Sequence, residues 1–236
     1  VVLASFAAGA LAANCYVLSA ADDRSCVVID PGMDAVAALD RLLDEHHLIP
    51  SLVLLTHGHF DHVASAAAVA DRYDAACYIG PGDRALLADP LAGLTSDLAP
   101  LVTDYLRGEP AMQPRRLVRL EREPDGRSRL HAAGLTFDLI AAPGHTPGST
   151  LFLTSLPTTS CPEAGTQYDL VFTGDVLFEG TIGRTDLPGG DPHAMNRTLT
   201  STVLSLADET VVLPGHGRRT TIGRERTTNP FLRRLG

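Results

Sequence analysis

Three imidazoles and one carboxylate fall within six consecutive positions of this chain, in the run Thr56-His57-Gly58-His59-Phe60-Asp61-His62. Side chains of these types at this density suit a metal ion and little other chemistry. An apolar run, Leu52 to Leu55, leads into the segment and reads as a buried strand, and an Ala-rich helical stretch follows it. In an extended segment alternate residues share a side, so His57 and His59 point together and can share one ion, whereas Asp61 and His62 aim elsewhere. The spacing predicts two neighbouring ions.

Three further apolar runs end in the same way. Leu135 to Ala142 feeds Pro143-Gly144-His145, Leu170 to Phe172 feeds Thr173-Gly174-Asp175, and Val211 to Leu213 feeds Pro214-Gly215-His216. Five of the nine histidines therefore lie at strand ends in glycine- or proline-containing turns, a placement that scattered histidines do not show. His46 and His47 close a polar helix end and read as solvated, and His131 and His193 lack the strand-end setting.

The elements that must position these residues are legible as alternating periods. Strands are expected at 1–6, 14–19 and 26–30, a helix over 34–46 with Val36, Leu39, Leu42 and Leu43 on one face, a strand at 51–55, a helix to about 72 and a strand at 76–79. Ser96 reads as the N-cap of a further helix, which either packs on the sheets or covers a substrate cleft. The second half carries strands near 117–120, 128–131, 135–141, 150–153, 169–173 and 210–213, with a helix from 192 to 206 opened by Asp191-Pro192. Residues 155–168 read as a surface insertion loop. Two runs of strands flanked by helices suit two sheets packed face to face.

The ordered set His-x-His-x-Asp-His, then a His, an Asp and a last His, resembles the metallo-β-lactamase superfamily over nearly the whole chain. The resemblance implies an α/β fold, a four-layer αββα sandwich occupying residues 1–236 as one domain, with the metal site along one edge of the sheets. Carried over by matching motif, it implies that His57, His59 and His145 hold one ion, that Asp61, His62 and His216 hold the other, and that Asp175 bridges them. Within the superfamily Asn14-Cys15-Tyr16, Ile29-Asp30-Pro31-Gly32, Gly183-Arg184-Thr185-Asp186 and Gly223-Arg224-Glu225-Arg226 are most similar to small glyoxalase II-like thioester hydrolases. Larger members have a Gly-Lys pair where this chain has Gly183-Arg184, and a longer helical C-terminus for glutathione. Persulfide dioxygenases also carry a Gly-Arg-Thr-Asp segment.

Composition bounds the rest. The chain has 236 residues, 44% of them hydrophobic, and a net charge of −9, which opposes nonspecific nucleic-acid binding. All nineteen basic residues are arginines, so lysine chemistry is excluded. Cys15, Cys26, Cys77 and Cys161 form no Cys-x-x-Cys pair, and a reduced, cytoplasmic setting is expected. Residues 1–20 lack the basic start of a signal peptide and read as two strands and a turn, so no membrane association is expected.

Nitrogen and oxygen ligands without thiolate suit Zn(II) first, with Fe(II) and Mn(II) also accommodated. Two such ions would hold water as hydroxide at neutral pH and polarise a carbonyl, with Asp61 orienting the hydroxide or taking its proton. The expected substrate is a small-molecule thioester, because a thiolate leaves with little need of protonation. Two alternatives stand beside it: sulfur dioxygenation at a single Fe(II) held by His57, His145 and Asp175, and hydrolysis of a lactone or β-lactam. Asp30 is expected to orient a ligand histidine or to cap its turn. Arg184 is expected to grip a substrate carboxylate or to pair with Asp186.

Overall fold

The computed structural model describes residues 1–20, 23–106, 113–119, 128–157 and 167–235. In chain order the first half contains β1 (Val2–Ala8), β2 (Ala13–Ser19), β3 (Ser25–Ile29), α1 (Val36–His46), β4 (Ile49–Leu55), α2 (Phe60–Val63), α3 (Ala66–Arg72), β5 (Ala76–Ile79), α4 (Arg84–Ala88) and α5 (Ala99–Tyr105). The second half contains β6 (Ser128–Ala132), β7 (Leu135–Ala141), β8 (Thr150–Pro157), β9 (Gln167–Gly174), the short pair β10 (Leu177–Phe178) and β11 (Thr181–Ile182), α6 (Pro192–Ser201), β12 (Val211–Pro214), β13 (Thr220–Thr221) and α7 (Ile222–Thr228). One sheet has the order β1-β2-β3-β4-β5 and the other β13-β12-β9-β8-β7-β6.

Strand alternation explains the layering. On β3, Val27 and Ile29 face the other sheet while Cys26 and Val28 face the helices, and all four are buried. The layer between the sheets is filled by Leu18, Leu54 and Tyr78 from one side and by Phe137, Phe152 and Phe172 from the other. Each of those phenylalanines is fully buried, worth about 2 kcal/mol apiece in area removed from water. Outside the first sheet, Leu39 and Leu43 of α1 and Phe60 and Val63 of α2 pack on Val53 and Leu55. Outside the second, Met195 and Leu199 of α6 pack on Leu151, Val171 and Val212. The result is the expected helix-sheet-sheet-helix sandwich.

Local signals account for most element ends. Asp191 caps α6, its Oδ1 accepting from the backbone N–H groups of His193 and Ala194 at 2.8 and 3.0 Å, with Pro192 beginning the helix. His47 closes α1 in the left-handed conformation at φ 54°. Three expectations need correction. The α5 helix begins at Ala99 with Leu98 as its cap residue and no side-chain cap, so Ser96 does not start it. Of the strand expected over 117–120, segment 116–118 runs beside β5 as a single bridge, with backbone bonds Cys77 N–H to Arg116 O and Val118 N–H to Cys77 O, and residue 120 lies outside the described residues. β8 and β9 extend to Pro157 and from Gln167, because Leu156 is drawn into the inter-sheet core; the remainder of the expected insertion loop, and Cys161, lie outside the described residues. Cys15, Cys26 and Cys77 are buried and free. Among the described residues no helix is long and apolar enough to cross a membrane.

Candidate metal centre

The candidate ligands converge where four strands end. His57 follows β4, His145 lies in the turn between β7 and β8, Asp175 follows β9, and His216 follows β12. β9 and β12 run parallel, and their pairing slips so that Leu213 faces Phe172 but Pro214 faces Gly174. That irregularity sets Asp175 and His216 side by side at the sheet edge. Gly215 is required there, since a Cβ would lie 2.2 Å from Asp175 Oδ1 and 2.7 Å from the ring of His62. The first motif changes conformation midway. His59 is extended at φ −68°, ψ 144° and caps α2, so His57 and His59 share a side while Asp61 and His62 sit in the helical turn beyond.

Two donor sets result. His57, His59 and His145 each offer an atom within 4.8 Å of the others, and so do Asp61, His62 and His216. Asp175 lies between them, with Oδ2 at 3.6 Å from His145 Nε2 and 3.7 Å from His216 Nε2, and Oδ1 at 3.4 Å from His62 Nε2. His57, His62 and Asp175 form a third, overlapping set.

Neighbours determine which nitrogen of each ring faces inward. The Arg184 carbonyl can only accept, so His145 Nδ1 at 2.8 Å donates to it and leaves Nε2 with its lone pair toward the cluster. Asp30 Oδ2, at 3.0 Å from His62 Nδ1, accepts in the same way and turns His62 Nε2 toward the cluster. Thr56 donates its hydroxyl proton to Asp30 Oδ2 at 2.6 Å, so its oxygen accepts from His57 Nδ1 at 3.0 Å and His57 Nε2 is the inward lone pair. Asp30 thus orients two histidines, one directly and one through Thr56. It is held in place by the Thr56 backbone N–H at 2.8 Å despite a left-handed φ of 50°.

The electrostatics are those of a cation site. Desolvation pushes the His57 pKa far below its usual value and lowers that of His59 to about 4, so both rings are neutral ligands at pH 7. At His62, burial is outweighed by Asp61 and Asp175, and at His216 by Asp61 foremost; both pKa values rise. Burial would raise the two carboxyl groups, but His62 first among their neighbours holds Asp61 and Asp175 below the carboxylate range. His59 Nδ1 and His145 Nε2 lie 2.9 Å apart, and His62 Nε2 and His216 Nε2 3.2 Å apart, distances at which two lone pairs repel unless a cation or proton lies between. Buried His57 Nε2, His59 Nε2 and Asp175 Oδ1 have no hydrogen-bond partner. Orphaned buried donors and acceptors of ligand type, converging on one place, fit divalent metal ions.

Two supports have no sequence signature. Asp83, fully buried, accepts from the backbone N–H of Gly58 at 2.8 Å, from that of Gly148 at 2.7 Å and from the Thr146 hydroxyl at 2.6 Å. It ties the loop of His57 and His59 to the loop of His145. Glu225 of α7, also fully buried, accepts from Gly180 N–H, the Thr220 hydroxyl and the Asn229 amide, fastening the segment after Asp175 to the segment after His216.

The remaining sequence candidates fall outside the cluster. His46, His47, His131 and His193 are exposed. The Arg184 guanidinium is exposed and grips Asp186 through Nε and Nη2 at 2.7 and 2.8 Å, while its carbonyl serves His145. α5 lies against the back of the first motif, with the Tyr105 ring 5.0 Å from that of Phe60 and Val102 in the outer core.

Comparison with known proteins places this geometry. The sequence profile of the metallo-beta-lactamase superfamily matches residues 8–216. The chain is 43% identical to an uncharacterized protein of Mycobacterium tuberculosis over 233 residues, 99% of this chain and 98% of that one. It is 31% identical to the hydroxyacylglutathione hydrolase GloC of Haemophilus influenzae over 212 residues, 89% of each chain. Among solved structures it is similar to the B3 metallo-beta-lactamase BLEG-1, with a TM-score of 0.76 and 34% identity over 98% of this chain and 99% of that one. It is also similar to the di-iron-bound form of TTHA1623, with a TM-score of 0.72 and 34% identity over 98% and 100%.

Proposed function

The chain belongs to the metallo-beta-lactamase superfamily and is a metal-dependent hydrolase of that group, and we propose that the bond it cleaves is the thioester of a small thiol, a 2-hydroxyacyl thioester being the leading substrate class. The observation that carries this reading is the pairing of two donor sets around Asp175, supported by likeness to a hydroxyacylglutathione hydrolase along most of the chain.

In this reading His57, His59 and His145 would hold one divalent ion, Asp61, His62 and His216 would hold a second, and Asp175 would serve both. Zn(II) suits the donors, and Fe(II) and Mn(II) are accommodated. When bound, such a pair lowers the pKa of water and polarises an acyl carbonyl. The protein's own contributions are positional. Asp30, Thr56 and the Arg184 carbonyl engage the Nδ1 atoms of three rings, so that the Nε2 atoms of His57, His62 and His145 face inward. Asp61, kept ionised at neutral pH, would orient the attacking water by accepting its hydrogen bond, or take its proton. The new C–O bond forms as the C–S bond breaks, and the electron pair leaves on sulfur. A thiol with a pKa of ~8.5 departs as thiolate without a general acid.

The test is a set of assays on metal-loaded protein. Thioesters of glutathione and of other small thiols should release thiol and acid at equal rates in air and under nitrogen, because no redox step is involved. Oxygen consumption with a persulfide, together with inertness toward thioesters, would replace this reading with sulfur dioxygenation.

We also assign Arg184 to the anionic part of the substrate. Exposed ion pairs are weak, so Asp186 can yield the guanidinium to a ligand carboxylate. Arg184→Ala is expected to raise KM about tenfold or more on a carboxylate-bearing thioester with little change in kcat. Metal content should hold, since His145 uses only the backbone of residue 184. An equal effect on a thioester lacking the carboxylate would show that Arg184 acts structurally.

A further inference from the structure

A cleft of about 720 Å³ opens away from the metal centre, between the edge of β5 and the face formed by β7, β8 and the end of α6, and none of the seven candidate ligands lines it. Its size is that of a small-molecule site. Its walls carry Arg84 and Arg119 and, among the described residues, no aspartate or glutamate. In a chain with 28 acidic residues against 19 basic ones, two arginines facing a common space without a carboxylate are unexpected. Arg72, Arg115, Arg129, Arg224 and Arg226 each meet an acid within 4.0 Å, whereas Arg84 and Arg119 make no ion pair among the described residues.

Arg84 is the more telling of the two. It is half-buried, its Nη2 donates to the Val118 carbonyl at 2.9 Å, and its buried Nε has no partner. A half-buried guanidinium whose only acceptor among the described residues is a neutral carbonyl has an unmet demand for negative charge. The hydroxyls nearby do not meet it. Thr150, Ser201 and Ser205 donate to backbone carbonyls at 3.0, 2.6 and 2.7 Å, so these three hydroxyl protons are already engaged, while Arg84 Nε is not. The rest of the wall, with Ile140, Leu153 and Leu206, is apolar.

We propose that this cleft is a second ligand site, separate from the metal centre, that takes a small dianion on a short apolar body, such as a phosphate monoester. Two fixed positive charges match a dianion, and planar guanidinium forks match phosphate oxygens. The apolar wall fits the carbon skeleton. With a net charge of −9 the long-range field repels anions, so binding comes from the local arginine pair and weakens with salt.

Calorimetric titration of the metal-loaded protein with phenylphosphonate, inorganic phosphate and benzoate tests this. Phenylphosphonate should bind with a Kd of millimolar or tighter, ahead of phosphate, which lacks the apolar body, and of benzoate, which has one charge. Arg119 is exposed, so Arg119→Gln should fold normally and keep thioester hydrolysis while weakening phenylphosphonate at least tenfold. Arg84→Gln should do the same from the other side. Phosphonate held at the metal centre would be indifferent to both changes, so unchanged binding in Arg119→Gln overturns the proposal. Absence of binding to the wild type also overturns it, and equal affinity for benzoate overturns the assignment of a dianion. None of these outcomes depends on what the metal centre hydrolyses.

Discussion

Replacing Asp175 with alanine is expected to strip the protein of more metal than any other single change at the centre. Its carboxylate stands between the two donor sets, within 3.7 Å of His62, His145 and His216, and its loss withdraws an oxygen from each. It also removes a negative charge that offsets the positive charge of cations held in the buried cluster. His216→Ala, which removes a donor from one set only, provides the comparison. Metal measured by emission spectroscopy after dialysis should fall further in Asp175→Ala than in His216→Ala, and hydrolytic activity should fall by more than about a hundredfold. Full metal and full activity in Asp175→Ala would end the shared-ligand assignment.

The second large effect is expected at a residue that touches no candidate ligand side chain. Asp83→Ala leaves the Gly58 and Gly148 N–H groups and the Thr146 hydroxyl buried around a void. Abandoned buried donors cost ~1 to 3 kcal/mol each, and partial relaxation brings the expected loss to about 3 kcal/mol or more. For a domain of this size that is roughly 6 to 12 °C in Tm. Because those donors belong to the loops of His57, His59 and His145, the affinity of the first donor set should fall together with stability. A variant that melts normally and keeps its metal would show that the two loops hold themselves in place.

The contrast between Asp175 and Asp83 shows what a sequence can display. Asp175 is conspicuous because it ends an apolar run in a Gly-Asp turn, and a carboxylate at a strand end beside other such ends has few structural reasons to be there. Asp83 stands in Pro81-Gly82-Asp83, which reads as an ordinary solvated turn, and its burial comes from partners 25 and 65 residues away. Thr56 is hidden for a similar reason: it lies inside the motif, but its part in orienting His57 exists only once Asp30 arrives from β3. The sandwich and its core strands were readable from periodicity, since alternation on β3 and the apolar face of α1 are local properties. α7 was not, because Ile222–Thr228 is short and largely polar and is fixed by burial of Ile222 and Glu225 against distant neighbours. Arg184 combines both cases. Its side chain suggested a role in recognition, and its backbone carbonyl, invisible to any motif, orients His145.

The closure of the site across the chain also bears on when it can form. Asn14 donates to the carbonyls of Pro214 and Gly217, Tyr16 donates to that of Pro214, and His216 bridges to Ala13, so an early strand and a late one meet at the centre. During synthesis His57 and His59 leave the ribosome some 10 to 30 s before His216, at ordinary elongation rates. Before that interval ends His145 and Asp175 have joined the first motif, but the second set still lacks His216. The second donor set is therefore completed only when the turn carrying His216 docks against Ala13 and Asn14, so the two sets need not form together.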